Sequence, residues 1–180
     1  MKKEYEHQAH QFSGEKLIRF MPKNFDHVND KLYRGSWPET ADFLVNLNIT
    51  EVLTLYSSGD EKEAEQIIDL QKIIARANIN HTIIDVKNND DLWRAAQYIH
   101  ESNISTYVHC QAGANRTSMV CLISQIMCLG PELASEALPR LISQAIGHGF
   151  DYHKEKYKIV LSDILAQAKQ KGLLLNWFLP

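Results

Sequence analysis

Ser105-Thr106-Tyr107-Val108-His109-Cys110-Gln111-Ala112-Gly113-Ala114-Asn115-Arg116-Thr117 is the stretch that decides how this chain folds. Ser105 to Val108 is short, β-branched and aromatic, which predicts a buried strand. Ser118-Met119-Val120-Cys121-Leu122-Ile123-Ser124-Gln125-Ile126-Met127 predicts a helix. Between them lies a small glycine-containing turn, with a cysteine at the strand end and an arginine at the helix start. Successive backbone N–H groups in such a turn form an anion-binding nest, and the helix adds its positive end. The amides of Gln111, Ala112, Gly113, Ala114, Asn115 and Arg116 are therefore predicted to cradle a phosphate.

The side chains extend that reading. The guanidinium of Arg116 can take two phosphate oxygens in a planar fork, which an ammonium cannot. A helix N-terminus and neighbouring cations favour a thiolate, the form that attacks phosphorus in line, so Cys110 is the candidate nucleophile. Thr117 offers a hydroxyl to stabilise the sulfur as a leaving group. His109 is expected to brace the loop backbone through its ring nitrogens.

Working outward, strands and helices alternate. A first strand is expected near Lys31 to Tyr33, and Pro38-Glu39-Thr40 starts a short helix carrying Phe43, Leu44 and Leu47. Glu51 to Tyr56 follows as a strand. A helix over 61–77 is predicted to turn Ala64, Ile67, Ile68 and Ile74 inward, and His81 to Ile84 forms the next strand. Such alternation predicts an α/β fold whose parallel strands, joined by right-handed crossovers, gather ligands at their carboxyl ends. Cys110, Asp85 and Ser57 all fall at strand ends. The last third is helical: Pro131 to Ala145, with Pro139 expected to kink or break it, then a stripe of Tyr157, Val160, Leu161, Ile164, Leu165 and Ala168. The apolar end, Leu173-Leu174-Leu175-Asn176-Trp177-Phe178-Leu179-Pro180, is expected to pack back on the domain, with a second subunit as the alternative.

Composition suits one domain. The chain has 180 residues, 44% hydrophobic and 23% charged, enough for a sizeable core. We read residues 1–23 as a polar extension and residues 24–180 as a single domain. A net charge of -3 gives no general attraction to nucleic acid or an anionic membrane, so phosphate binding must be local. No apolar stretch reads as a secretory signal or a membrane span. Cys110, Cys121 and Cys128 form no metal-ligand or disulfide pattern, so a reducing, cytoplasmic setting is expected. Cys121 and Cys128 are expected on one core-facing side of their helix. A redox-protective Cys110–Cys121 disulfide is conceivable, with two packed thiols as the default.

The run His109-Cys110-x-x-Gly113-x-x-Arg116-Thr117 resembles the signature of the protein tyrosine phosphatase superfamily, His-Cys-x-x-Gly-x-x-Arg-Ser/Thr. Upstream, Leu32-Tyr33-Arg34-Gly35-Ser36-Trp37-Pro38 resembles the entry strand and first βα unit of small, atypical dual-specificity phosphatases. The resemblance implies a parallel-centred sheet of about four to five strands flanked by helices. It also implies a two-step reaction through a cysteinyl-phosphate, with no metal or other cofactor, on a phosphorylated protein or small phosphomonoester. A general acid is then needed for the leaving oxygen. In the family an aspartate after the preceding strand serves. Asp85 matches that position best, while Asp90 and Asp91 remain alternatives that also read as the first acids of the helix beginning near Leu92. Arg34, in the family-like motif, either approaches the phosphate pocket or pairs with an acid such as Asp85. Relatives acting on multiply phosphorylated inositides often carry lysines at the variable loop positions, here Gln111, Ala112, Ala114 and Asn115. An inositol-phosphate or phosphoinositide phosphatase is thus the alternative, and a catalytically silent phosphate-binding module is the reading from another class.

Overall fold

A computed structural model describes residues 21–175. Most of the expected N-terminal extension, and the chain end from Asn176 onward, lie outside the described residues. In chain order the elements are β1 (Asp26–Asn29), β2 (Leu32–Gly35), α1 (Asp42–Asn46), β3 (Glu51–Tyr56), α2 (Glu61–Arg76), β4 (Asn80–Asp85), α3 (Asn89–Glu101), β5 (Thr106–His109), α4 (Asn115–Leu129), α5 (Pro131–Gly147) and α6 (Glu155–Gln170).

The strands form one five-stranded sheet in the order β1-β2-β5-β3-β4. β1 and β2 are antiparallel, and the other neighbours are parallel. β5 therefore lies centrally, with Val108 opposite both Arg34 and Leu53. Every residue of β5 is buried, which is why its sequence is a continuous rather than an alternating run. β1 carries no such signal: Asp26-His27-Val28-Asn29 is a polar edge strand, and the sequence reading missed it.

Alternation along the inner strands divides the core into two layers. Val52 and Tyr107 face Phe43 and Leu44 of α1 and Leu70 and Ile74 of α2. Leu53, Leu55 and Val108 face α3, α4 and the C-terminal helices. α4 is the central helix, buried at Met119, Val120, Leu122, Ile123 and Ile126, so it shows no polar stripe.

Some side-chain expectations are corrected. On α2 the inward row is Glu63, Ile67, Leu70 and Ile74, whereas Ala64 and Ile68 face solvent. A single row suffices because α2 covers only one side of the sheet. Cys128 is exposed, with its Sγ 3.5 Å from His100 Nδ1, while Cys121 is buried, so the two do not share the core. α5 runs through Pro139 without breaking. Pro139 itself is exposed. Leu174 is buried against the domain, and the Leu175 N–H donates to Ser135 Oγ at 2.9 Å. The apolar tail thus packs back as far as it is described. Among the described residues no helix is long and apolar enough to cross a membrane.

Candidate active site

The loop from Cys110 to Asn115 is held from outside by its carbonyls. Trp37 N–H donates to the carbonyl of Gln111 (3.4 Å) and Ser118 N–H to that of Ala114 (2.9 Å). Asn24 Nδ2 donates to Ala112 O (2.9 Å), and Arg34 Nη2 to Gly113 O (2.5 Å). Among the described residues all peptides are trans, so each carbonyl turned outward turns the following N–H the opposite way. Among the described residues none of the amides from Gln111 to Arg116 donates to a protein acceptor outside regular helix bonding. The N-cap of α4, Ala114, supplies no side-chain acceptor, in contrast to Asp60 on α2 and Asn88 on α3. The start of α4 therefore keeps its orphan donors and its positive end for an anion.

Gly113 is required twice over. Its φ is +64°, and a Cβ there would fall 2.2 Å from the carbonyl carbon of Gly35. The loop thus rests directly on the end of β2.

The predicted residues are largely brought together. Cys110 directly follows β5 and is 3% exposed. Arg116 donates through Nη1 to Glu63 Oε2 at 2.9 Å and through Nη2 to Glu63 Oε1. A guanidinium has five N–H donors, so a two-pronged pair leaves others for a phosphate. Burial alone would lower the Arg116 pKa, but the Glu63 hydrogen bonds and the surrounding negative charge outweigh it and raise it. Thr117 is fully buried, and its hydroxyl has no hydrogen-bond partner among the described residues, so it is not bonded to the Cys110 sulfur here. Arg34 is 3% exposed and bonds Gly113 O and Ser118 Oγ (2.9 Å). It braces the back of the loop and does not pair with Asp85.

His109 is fully buried, and burial pushes its pKa down to about 3, so it stays neutral. Its Nε2 is 2.8 Å from Thr54 Oγ1, which is also 2.7 Å from His81 Nε2. Trp37 packs edge-on against the His109 ring, centroids 4.7 Å apart.

Asp85 closes β4, at the same carboxyl edge of the sheet as Cys110 but with β3 between the two strands. It accepts the Ser58 N–H at 3.0 Å and pairs with Lys87 at 3.1 Å. Slight burial works to raise its pKa, but the Ser58 hydrogen bonds and Lys87 outweigh it and hold the carboxyl below its ordinary value. Asp91 sits in a capping box with Asn88, also accepting from Lys87 N–H and pairing with Arg94, and Asp90 lies in the same first turn. The N-cap itself is Asn88, two residues ahead of Asp90. Beside the loop a cleft opens, lined by Lys87, Asn88, Asn115 and Arg116 with Val86, Phe150 and Tyr157.

Glu63 is the functional residue that sequence reasoning missed. Asp60-Glu61-Lys62-Glu63 reads as an ordinary capping box. Asp60 does cap α2, but Glu63 turns to the Ser57 N–H (2.8 Å) and to Arg116 instead. The loop braces Asn24 and Trp37 were equally silent, since nothing local marks a donor for a carbonyl so distant in the chain.

A family model described as the tyrosine phosphatase family matches residues 19–129, more than half of the chain. Among solved structures, the core catalytic domain of the PP-IP phosphatase SIW14 from S. cerevisiae, in complex with citrate, is 17% identical with a TM-score of 0.55, covering 84% of this chain and 94% of that one. The human tyrosine phosphatase-like serine/threonine/tyrosine-interacting protein is 14% identical with a TM-score of 0.58, covering 81% of this chain and 97% of that one. PTPMT1 in complex with PI(5)P is 17% identical with a TM-score of 0.53, covering 80% and 98%. These likenesses establish the fold. No curated protein matches the chain.

Proposed function

This chain belongs to the tyrosine phosphatase family, and on that premise we propose that it hydrolyses phosphomonoesters through a phosphocysteine at Cys110. The observation that carries the reading is the loop whose carbonyls are tied outward by Asn24, Arg34, Trp37 and Ser118, leaving its amides and Arg116 for a phosphate. The thiolate of Cys110 attacks phosphorus as the ester P–O bond breaks, and the departing oxygen takes a proton. Water then attacks the thiophosphate, releasing phosphate and the thiolate. Loop amides and Arg116 hold the equatorial oxygens through both steps. Thr117, unpartnered and buried beside the loop, is available to the sulfur as it leaves. Asp85 is assigned as the proton donor. In that role it has to exchange its Ser58 and Lys87 contacts for the substrate oxygen, because those contacts favour the ionised form.

Two substrate classes are consistent with this machinery. Phosphoprotein side chains suit a loop whose variable positions carry no lysine. An inositol-phosphate substrate is the second reading, supported by Lys87 on the cleft wall and by the substrate named for SIW14. Hydrolysis of an aryl phosphate in a metal chelator tests the mechanism: activity is expected in wild type and lost in Cys110→Ser. Phosphotyrosyl peptides and inositol phosphates, compared by kcat/KM, then choose between the classes. A wild type that binds vanadate yet turns over no member of the panel would make the chain a phosphate-binding module.

A further inference from the structure

The cations around the phosphate loop are paired, with one exception. Arg116 lies fork to fork with the Glu63 carboxylate, and Lys87 is 3.1 Å from Asp85, so each brings a counter-ion with it. Arg34 brings none. It is 3% exposed, and its hydrogen bonds go to two neutral acceptors, Gly113 O at 2.5 Å and Ser118 Oγ at 2.9 Å. Its Nε is buried without a partner. Among the described residues no carboxylate comes within ion-pair distance of it. Asp26 stands opposite Arg34 in the β1–β2 register, but that carboxylate is 2.8 Å from His148 Nε2.

A buried charge of this kind is costly unless another charge answers it. A guanidinium stays charged wherever it is placed, so Arg34 cannot escape by giving up a proton. Its field reaches the core beside the nucleophile. Burial pushes the Cys121 thiol up to about 11 and lifts the Tyr107 hydroxyl, and at both groups Arg34 opposes the rise while Cys110 adds to it. Arg34 and Cys110 thus act on the same buried neighbours with opposite sign.

The loop joins this cation to the anion seat. Arg34 donates to the carbonyl of the Gly113–Ala114 peptide from outside, and in a trans peptide the Ala114 N–H then points inward, where no protein acceptor takes it among the described residues. Guanidinium, carbonyl and amide form one line of dipoles that ends at the seat, and in a low-dielectric interior each polarises the next. Resting on the reading of the loop as a phosphate seat, we propose that Arg34 supplies the unbalanced positive charge by which the seat prefers doubly charged anions, acting through the Gly113–Ala114 peptide. Arg116 aligns the oxygens while Glu63 balances its charge. Arg34 is a positioning residue that never touches the phosphate, and the bound dianion is its counter-ion.

The test uses the full chain and two tetrahedral oxyanions, tungstate with two charges and perrhenate with one, titrated by calorimetry at fixed ionic strength. Arg34→Gln keeps a donor for Gly113 O and removes the charge. Coulomb attraction scales with the charge of the anion, so tungstate affinity is expected to fall about tenfold and perrhenate affinity about threefold. Arg34→Lys, which keeps both charge and donor, should restore the wild-type preference. A loop that had merely slackened would lose both anions by the same factor. Where the glutamine variant does not fold, Arg34→Met carries the same comparison, since an apolar chain of similar length replaces the buried cation. A folded Arg34→Gln or Arg34→Met protein that binds both anions as wild type does, or loses both equally, overturns the proposal. A wild type that binds neither anion overturns it together with the phosphate seat. Aryl phosphate turnover by wild type reports separately on the phosphatase reading: if turnover is absent while Arg34 still sets the tungstate preference, the enzyme reading fails and the role of Arg34 stands.

Discussion

Arg116 grips Glu63 with both Nη atoms, and Glu63, 1% exposed, has no solvent to fall back on. The pair joins the first turn of α4 to the first turn of α2, across the carboxyl edge of the sheet. Removing one partner of a buried, hydrogen-bonded charge pair costs about 2–5 kcal/mol. Glu63→Ala is expected to raise KM for an aryl phosphate and cut kcat/KM by one to two orders of magnitude, with a lower melting temperature. Glu63→Gln, which keeps an acceptor for one Nη, should fall between. Steady-state kinetics alongside thermal melts read both effects.

Arg116→Lys retains the charge but loses the fork. A point charge on a flexible stem can satisfy neither the Glu63 carboxylate nor the phosphate in two prongs. We expect kcat/KM to fall about a hundredfold or more, comparable to losing an aligned transition-state donor. Vanadate affinity should drop in parallel, and equal vanadate binding in the two proteins would argue against the role given to Arg116.

Substituting Gly113 should damage the loop irrespective of chemistry. The alanine Cβ would meet the Gly35 backbone at 2.2 Å while the backbone holds φ at +64°. A strained residue of this kind costs about 1–3 kcal/mol before the clash is counted. Gly113→Ala is therefore expected to be less stable and inactive, measurable by denaturant melts and by loss of vanadate binding.

If Asp85 donates the leaving-group proton, Lys87 should control when it can. The ammonium favours the carboxylate, so Lys87→Ala removes a cause of the lowered pKa and moves the carboxyl up toward its ordinary value. The basic limb of the kcat profile is then expected to move to higher pH, and Asp85→Asn to abolish that limb. A pH profile unchanged in both variants would transfer the acid role to another group.

His109 makes stability pH-dependent. Its pKa is about 3 in the folded chain against an ordinary 6.5, so the unfolded chain binds more protons between those values. This contribution is complete above about pH 6.5 and is lost progressively as pH falls toward 3, at about 1.4 kcal/mol per pKa unit. Wild type should lose melting temperature steadily below neutrality, and His109→Gln should show a shallower slope. Cys121, pushed up to about 11 by burial, should meanwhile resist alkylation at neutral pH in the folded protein.

Local signals and distant ones differed sharply in how well they could be read. The strand, turn and helix from Ser105 to Met127 were legible because strand, nest and helix each follow from neighbouring residues. Glu51 to Tyr56 was likewise legible, being buried on both faces. β1 was not, because an edge strand half open to water has no need of apolar alternation. Spacing alone placed Cys128 in the core, but it falls on the outer side of the last turn of α4, where Ile126, Met127 and Leu129 take the core side. Glu63 hid inside a capping pattern that it only half obeys. Arg34 carried two readings until its bond to Gly113 O decided for the loop.

The braces on the phosphate loop also govern the order in which the molecule can become competent. Asn24 and Arg34 reach loop carbonyls 88 and 79 residues further along the chain. Closing such long loops is slow, and those contacts form only when the sheet from β1 to β5 is assembled. A partly folded chain can hold the strand, the cysteine and the helix while its loop peptides still point anywhere. Capture of a phosphate analogue at Cys110 therefore marks the moment at which the N-terminal hairpin has docked, and during refolding it should appear after helix content has returned.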